Sequence, residues 1–140
     1  MLSRRMFAGC AIYAAVGLVA DGASGQQTQH PFPGVKRTII GKCDGPVEGY
    51  ETVESIFEIE PNTTVPWHIH PGTETGYVLE GGAEMRMKGE DVQMAKPGAN
   101  WVIAAETPHT AKIGSQPTKV LFTHVVQKGK PFAVVVPAPA

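Results

Sequence analysis

The chain has 140 residues, 12 basic and 13 acidic side chains, a formal net charge of −1 and two cysteines. A near-neutral chain with no cluster of basic residues has no electrostatic footprint for nucleic acid. Its length suits one compact domain, and two cysteines are too few for a disulfide framework.

The chain begins with Ser3-Arg4-Arg5-Met6-Phe7, a charged stretch carrying a twin-arginine pattern. An uncharged, mostly apolar run follows from Met6 to Ala20, and Ala23-Ser24-Gly25 offers small residues for cleavage. That run is shorter than the 18 or more apolar residues of a membrane span. Residues 1–25 therefore read as a twin-arginine-like export signal, with the protein expected in the periplasm and without a stable membrane span once the signal is removed. Cleavage takes away Arg4, Arg5 and Asp21, leaving ten basic and twelve acidic residues and a net charge of −2. Cys43 is then the one remaining cysteine, expected as a small buried residue.

Residues 26–35 are polar and proline-bearing and read as a flexible lead-in, with His30 in solvent. Residues 36–133 read as the folded domain, made of short apolar segments broken by Gly, Pro, Asn and Asp. Val53, Ser55, Phe57 and Ile59 alternate with Glu54, Ile56, Glu58 and Glu60, the pattern of a half-buried strand. Thr63 to His70 is a second strand, in which Pro66 implies an edge or a bulge. Thr75 to Glu80 is a third, turning at Gly81-Gly82 into the alternating Ala83, Met85 and Met87. Trp101 to Ile103 and Lys119 to Val126 supply later strands, and residues 134–140 form an extended tail. Strands at this spacing, separated by turn residues, make an all-β barrel or sandwich.

The chemistry concentrates in Trp67-His68-Ile69-His70-Pro71-Gly72-Thr73-Glu74. On a strand, side chains at i and i+2 share a face, so His68 and His70 project together. Two imidazoles joined by the Glu74 carboxylate offer three nitrogen and oxygen donors to one divalent ion. A count from composition puts the chance of His68, His70, Glu74 and Gly81 falling at these offsets at about one or two in a thousand.

These residues match the first motif of the cupin superfamily, G-x5-H-x-H-x3-E-x6-G, with Asn62 at the leading glycine. Asn adopts the left-handed turn conformation more readily than other non-glycine residues, so the departure is mild. The second motif, G-x5-P-x-G-x2-H-x3-N, lies over Gly98 to Ile113, where Gly98 and His109 match and Ala104, Glu106 and Ile113 depart. The chain thus resembles a small single-domain cupin from about Val53 to Val126.

The resemblance implies a double-stranded β-helix, the jelly-roll barrel of the cupins, with a metal held by His68, His70, Glu74 and His109. The residues by themselves do not choose His109 over His124, which can face the pocket or the outside of its strand. Three imidazoles and a carboxylate suit one divalent transition metal ion (Fe, Mn, Ni, Co, Cu or Zn) without choosing among them. Relatives with this ligand set include dioxygenases, isomerases and lyases acting on small molecules. The expected function is that of an exported, metal-dependent dioxygenase or other oxidoreductase with a small-molecule substrate. Its alternative is a non-catalytic cupin that binds a metal or small ligand, and a metal-free barrel stands third. No catalytic residue beyond the ligands is assigned. Trp101, Phe122, Val78 and Met85 are candidates to line the barrel, and Glu106 to touch a ligand at its mouth. Tyr77 and Val78 must face opposite ways. A homodimer is plausible by resemblance alone.

Overall fold

The computed structural model describes residues 26–29 and 32–140, with side chains from residue 32 onward, and the described residues contain strands and no helix. In chain order the strands are β1 (Gln26–Gln29), β2 (Val35–Asp44), β3 (Tyr50–Ile59), β4 (Thr64–Ile69), β5 (Gly72–Glu80) and β6 (Ala83–Met87). β7 (Gln93–Ala95), β8 (Asn100–Ile103), β9 (His109–Ile113), β10 (Thr118–Gln127) and β11 (Val134–Val135) complete them. They form a six-stranded sheet ordered β1-β2-β3-β10-β5-β8 and a five-stranded sheet ordered β11-β4-β9-β6-β7, with antiparallel pairing throughout. This is the double-stranded β-helix expected from the sequence. The export signal expected over residues 1–25, and His30, lie outside the described residues.

Period-2 alternation builds the interior. In β3, Val53, Ser55, Phe57 and Ile59 are buried, and in β10 so are Thr118, Val120, Phe122, His124 and Val126. Fully burying one Val, Ile or Phe contributes about 1.5–3 kcal/mol, so these strands hold the two sheets together through a shared core. Val78 is 1% exposed and its neighbour Tyr77 is 46% exposed, as alternation requires. The register of β4 against β9 shifts between Val65 and His68, which places the bulge at Pro66. A proline lacks the N–H that a regular ladder needs there.

Two turns bear on the motif. Gly81 has φ 76°, and a Cβ on it would overlap the Pro117 carbonyl, so glycine is required twice over. Asn62 takes φ 59° where the family pattern has glycine, and Glu106 takes φ 58° where the second motif has one. Both are left-handed conformations that a glycine adopts without strain.

Three segments differ from the sequence reading. Gln26–Gln29 pairs with β2 rather than lying loose, and β2 itself begins at Val35 inside the expected lead-in. The tail starts as a strand, with Val134 opposite Ile69 and Val135 opposite His68. Cys43 is exposed, not buried. β2 runs past the core at this end and its last residues face solvent, which a short apolar window does not reveal.

Candidate functional site

Two cross-strand pairs, one from each sheet, build the site. His68 on β4 lies directly opposite His109 at the start of β9, and Glu74 on β5 lies directly opposite His124 on β10. His70, between β4 and β5, joins the two pairs. All five side chains are buried. Of the four residues singled out as ligands, the structure brings all into one cluster.

The hydrogen bonds separate these histidines by role. Nδ1–H of His68 donates to the Pro66 carbonyl at 2.8 Å, that of His70 to the Phe132 carbonyl at 2.6 Å, and that of His109 to the Thr107 carbonyl at 2.8 Å. A carbonyl oxygen only accepts, so each of these rings carries its proton on Nδ1 and keeps a lone pair on Nε2. The three rings converge, with centroids 4.2 Å apart for His68 and His109, 4.9 Å for His68 and His70, and 5.2 Å for His70 and His109. One ligand nitrogen from each lies within 4.8 Å of the others.

Glu74 faces them. Its Oε2 is 3.0 Å from His70 Nε2 and 3.6 Å from His109 Nε2. An imidazole lone pair against a carboxylate oxygen at 3.0 Å is repulsive unless a proton or a metal cation lies between them. His109 Nε2 is moreover buried without any hydrogen-bond partner. Three inward Nε2 lone pairs, one of them unpartnered, and a carboxylate therefore fit a divalent transition ion by their donor chemistry.

His124 differs. Its Nε2 lies 3.1 Å from Glu74 Oε2, while its Nδ1 is buried with no partner. Were Nε2 a metal-facing lone pair, Nδ1 would carry an N–H with nothing to accept it. An unpaired buried donor is the costlier arrangement, so His124 donates from Nε2 to Glu74. Trp101 Nε1–H donates to the other oxygen, Oε1, at 2.9 Å. Glu74 is thus held from both sides, its carboxylate aimed at the histidines. The close packing of Trp101 depends on Gly76, which β5 places opposite both Phe122 and Trp101.

The electrostatics follow from burial and this mutual proximity. Burial, with the neighbouring His109 adding to it, pushes His68 down to about 3. Burial also works to lower His109, but the Glu74 carboxylate outweighs it and raises that ring. For Glu74 itself burial works upward, yet the surrounding histidines prevail and hold it well below the usual carboxylate range.

Around the cluster lies a cavity of about 50 Å³, lined by Val78, Met85, Trp101, Phe122 and other apolar side chains. Trp101, Phe122, Val78 and Met85 all line it as expected. Its remaining polar side chains are committed elsewhere. Thr110 Oγ1 donates to the Val65 carbonyl at 2.5 Å and Thr118 Oγ1 to the Gly82 carbonyl at 2.8 Å. Glu106 is exposed on its turn, and its main-chain N–H donates to the His70 carbonyl at 3.0 Å.

The sequence reading left His124 open and did not single out Phe132. For His124 a signal existed: it shares the parity of Val120, Phe122 and Val126, so it points inward with them. The Phe132 carbonyl had none, because its partner lies 62 positions away.

Comparison with known proteins agrees with this architecture. The family described as "Cupin domain" matches residues 55–124. Among solved structures, KdgF from Halomonas sp. superposes with a TM-score of 0.61 at 20% identity, covering 74% of this chain and 89% of that one. The polyketide cyclase RemF from Streptomyces resistomycificus gives 0.62 at 21% identity, with 81% and 82% covered. The DMSP lyase DddQ from Ruegeria pomeroyi DSS-3 gives 0.67 at 18% identity, covering 81% of this chain but 62% of the lyase, less than two thirds of its length. At these identities the likeness is one of fold. No curated protein matches the sequence.

Proposed function

The chain belongs to the cupin family, and from that premise we propose that it is a metal-dependent oxygenase of a small organic molecule, using His68, His70, Glu74 and His109 as ligands. One observation carries the reading: three histidines have Nδ1–H tied to main-chain carbonyls, so their Nε2 atoms turn toward one buried carboxylate. Fixing the tautomer in this way is what an orienting hydrogen bond does for a metal-bound imidazole. A divalent ion at this position would supply Lewis acidity or dioxygen activation.

What the chain's own residues do narrows the reaction class. The apolar lining keeps bulk water from the reacting atoms, strengthening electrostatic interactions inside. Glu74 accepts from Trp101 and His124 and is fixed as a ligand, which leaves it poorly placed as a mobile base. Thr110 and Thr118 are spent on carbonyls, and among the described residues no acid or base other than the proposed ligands lines the cavity. Cyclase and lyase activities, those of the similar RemF and DddQ, often call on a protein group to move a proton. Oxygenation asks less of the protein and more of the ion, which favours it here.

The second reading is a binder that holds an ion or a small ligand without turnover. A cavity of about 50 Å³ favours it, since ligand pockets usually run to several hundred Å³. Residues 1–25 belong to the proposal as an export signal that places the protein in the periplasm, tested by fractionation after Arg4 and Arg5 are changed to Lys.

The decisive experiment loads the protein with Fe, Mn, Ni, Co, Cu or Zn and measures oxygen uptake and product with electron-rich aromatic and enol compounds, under air and under nitrogen. An oxygenase shows turnover under air in proportion to bound metal, lost in His68→Ala together with the metal. Full metal loading with no turnover, and only a ligand-linked rise in melting temperature, identifies the binder.

A further inference from the structure

The acceptor that orients His70 does not come from the barrel strands around it. After β10 ends at Gln127 the chain turns and returns to β4, where Val134 and Val135 pair with Ile69 and His68. The Val136 N–H donates to the Trp67 carbonyl at 2.9 Å. This return places the Phe132 carbonyl 2.6 Å from His70 Nδ1. It also places the Phe132 ring against two imidazoles, with centroids 4.8 Å from His70 and 4.6 Å from His124.

On the Phe132 ring sits a cation. Arg37 Cζ is 3.8 Å from the ring centroid and 5.9 Å from that of Phe57. Arg37 is 8% exposed, and its Nε donates to the buried Ser55 Oγ at 3.1 Å. Among the described residues no carboxylate forms an ion pair with it. With Glu51 acting on it only from beyond ion-pair distance, the buried guanidinium loses hydration, and an aromatic face partly offsets that loss. Arg37 and the ring of Phe132 therefore hold each other, and no part of the site chemistry described above uses either side chain.

We propose that Arg37 and Phe132 are positioning residues of the metal site. Arg37 clamps the Phe132 ring, and the clamped ring fixes the main-chain carbonyl that keeps the proton of His70 on Nδ1 and its Nε2 turned toward Glu74. The proposal rests on the metal-site reading for its purpose but not for its geometry. It makes the C-terminal return, remote in sequence from every ligand, part of the ion site.

The test uses the full chain with Phe132→Leu and Arg37→Met, which remove the ring and the charge while keeping apolar bulk, beside the conservative Phe132→Tyr and Arg37→Lys. In the metal-free protein, long-range proton–nitrogen NMR reads which nitrogen of His70 carries the proton. The wild type, Phe132→Tyr and Arg37→Lys should show Nδ1 protonated, and Phe132→Leu and Arg37→Met a mixture of tautomers. Zn(II) and Co(II) titrations should show affinity reduced about tenfold in the same two variants, the lower end of what loss of an orienting partner does. An unchanged His70 nitrogen pattern in both would overturn the proposal, as would a fall in melting temperature with tautomer and affinity intact, the mark of a purely structural contact. Wild-type protein that takes up neither ion overturns the metal-site reading instead, because the tautomer measurement is made without metal.

Discussion

Replacing Gly76 with alanine tests the chain of contacts that holds Glu74. A Cβ there would fall well inside van der Waals contact of Trp101 Cζ2 and Cε2, and 2.9 Å from Nε1. These are ring atoms of a buried indole packed edge-to-face on Phe122 at 5.8 Å, so the whole ring must shift. Overpacking of this kind destabilises by about 1–3 kcal/mol. Moving the indole also lengthens the 2.9 Å bond from Nε1 to Glu74, and a hydrogen bond to a charged group is worth about 1.5–3 kcal/mol. Reduced chain entropy in the unfolded state returns up to about 1 kcal/mol. The net expectation is a loss of about 1.5–6 kcal/mol, a large share of a small domain's stability. Urea unfolding of the metal-free protein measures it, with Trp101→Phe and the double variant as partners. Phe lacks the ring atoms that clash, so the double variant should lose little more than Trp101→Phe does. Full additivity, or a loss below about 0.5 kcal/mol for Gly76→Ala, would falsify the argument that this glycine exists to seat the indole.

Other expectations follow from the same geometry. His124→Phe keeps a ring of similar size but removes the N–H on Glu74, so metal affinity should drop about 10–100-fold while the circular dichroism spectrum is retained; unaltered affinity in a zinc titration would show that Glu74 does not need this donor. His68, folded, titrates at about 3, below the ~6.5 of an unfolded histidine, so below pH 6.5 the unfolded chain binds a proton that the metal-free fold refuses. Stability falls from this residue by up to about 1.4 kcal/mol per pH unit as pH drops from 6.5 toward 3, and His68→Gln should flatten the slope of unfolding free energy against pH by about one proton; equal slopes in both proteins count against the burial argument. Glu106 holds φ 58°, a left-handed conformation that disfavours a side chain by about 1–2 kcal/mol, whereas glycine loses about 0.5–1 kcal/mol of chain entropy. Glu106→Gly should therefore raise stability by up to about 1.5 kcal/mol in denaturant titration, and a loss would mean that the Glu106 side chain contributes to the fold.

Much of the site was written locally. The i, i+2 spacing of His68 and His70 needs only a strand to put both rings on one face, and Glu74 follows within a few residues. Asn62, read as a residue that tolerates the left-handed turn where the motif has glycine, does take φ 59°. Parity along β3 likewise marked Val53, Ser55, Phe57 and Ile59 as the buried face, because alternation is a property of the single strand.

The partners of those residues were decided elsewhere. That His124 and Trp101 grip the same carboxylate depends on β5 lying between β10 and β8 in one particular register, a matter of pairing between segments 27 and 50 positions from Glu74. That a C-terminal carbonyl selects the tautomer of His70 depends on where the last strand docks. A period of two tells each strand which face is inward, and it holds no information about which neighbour that face will meet. Only closure of the barrel brings those faces together, and with them the hydrogen bonds that turn four buried side chains into a site.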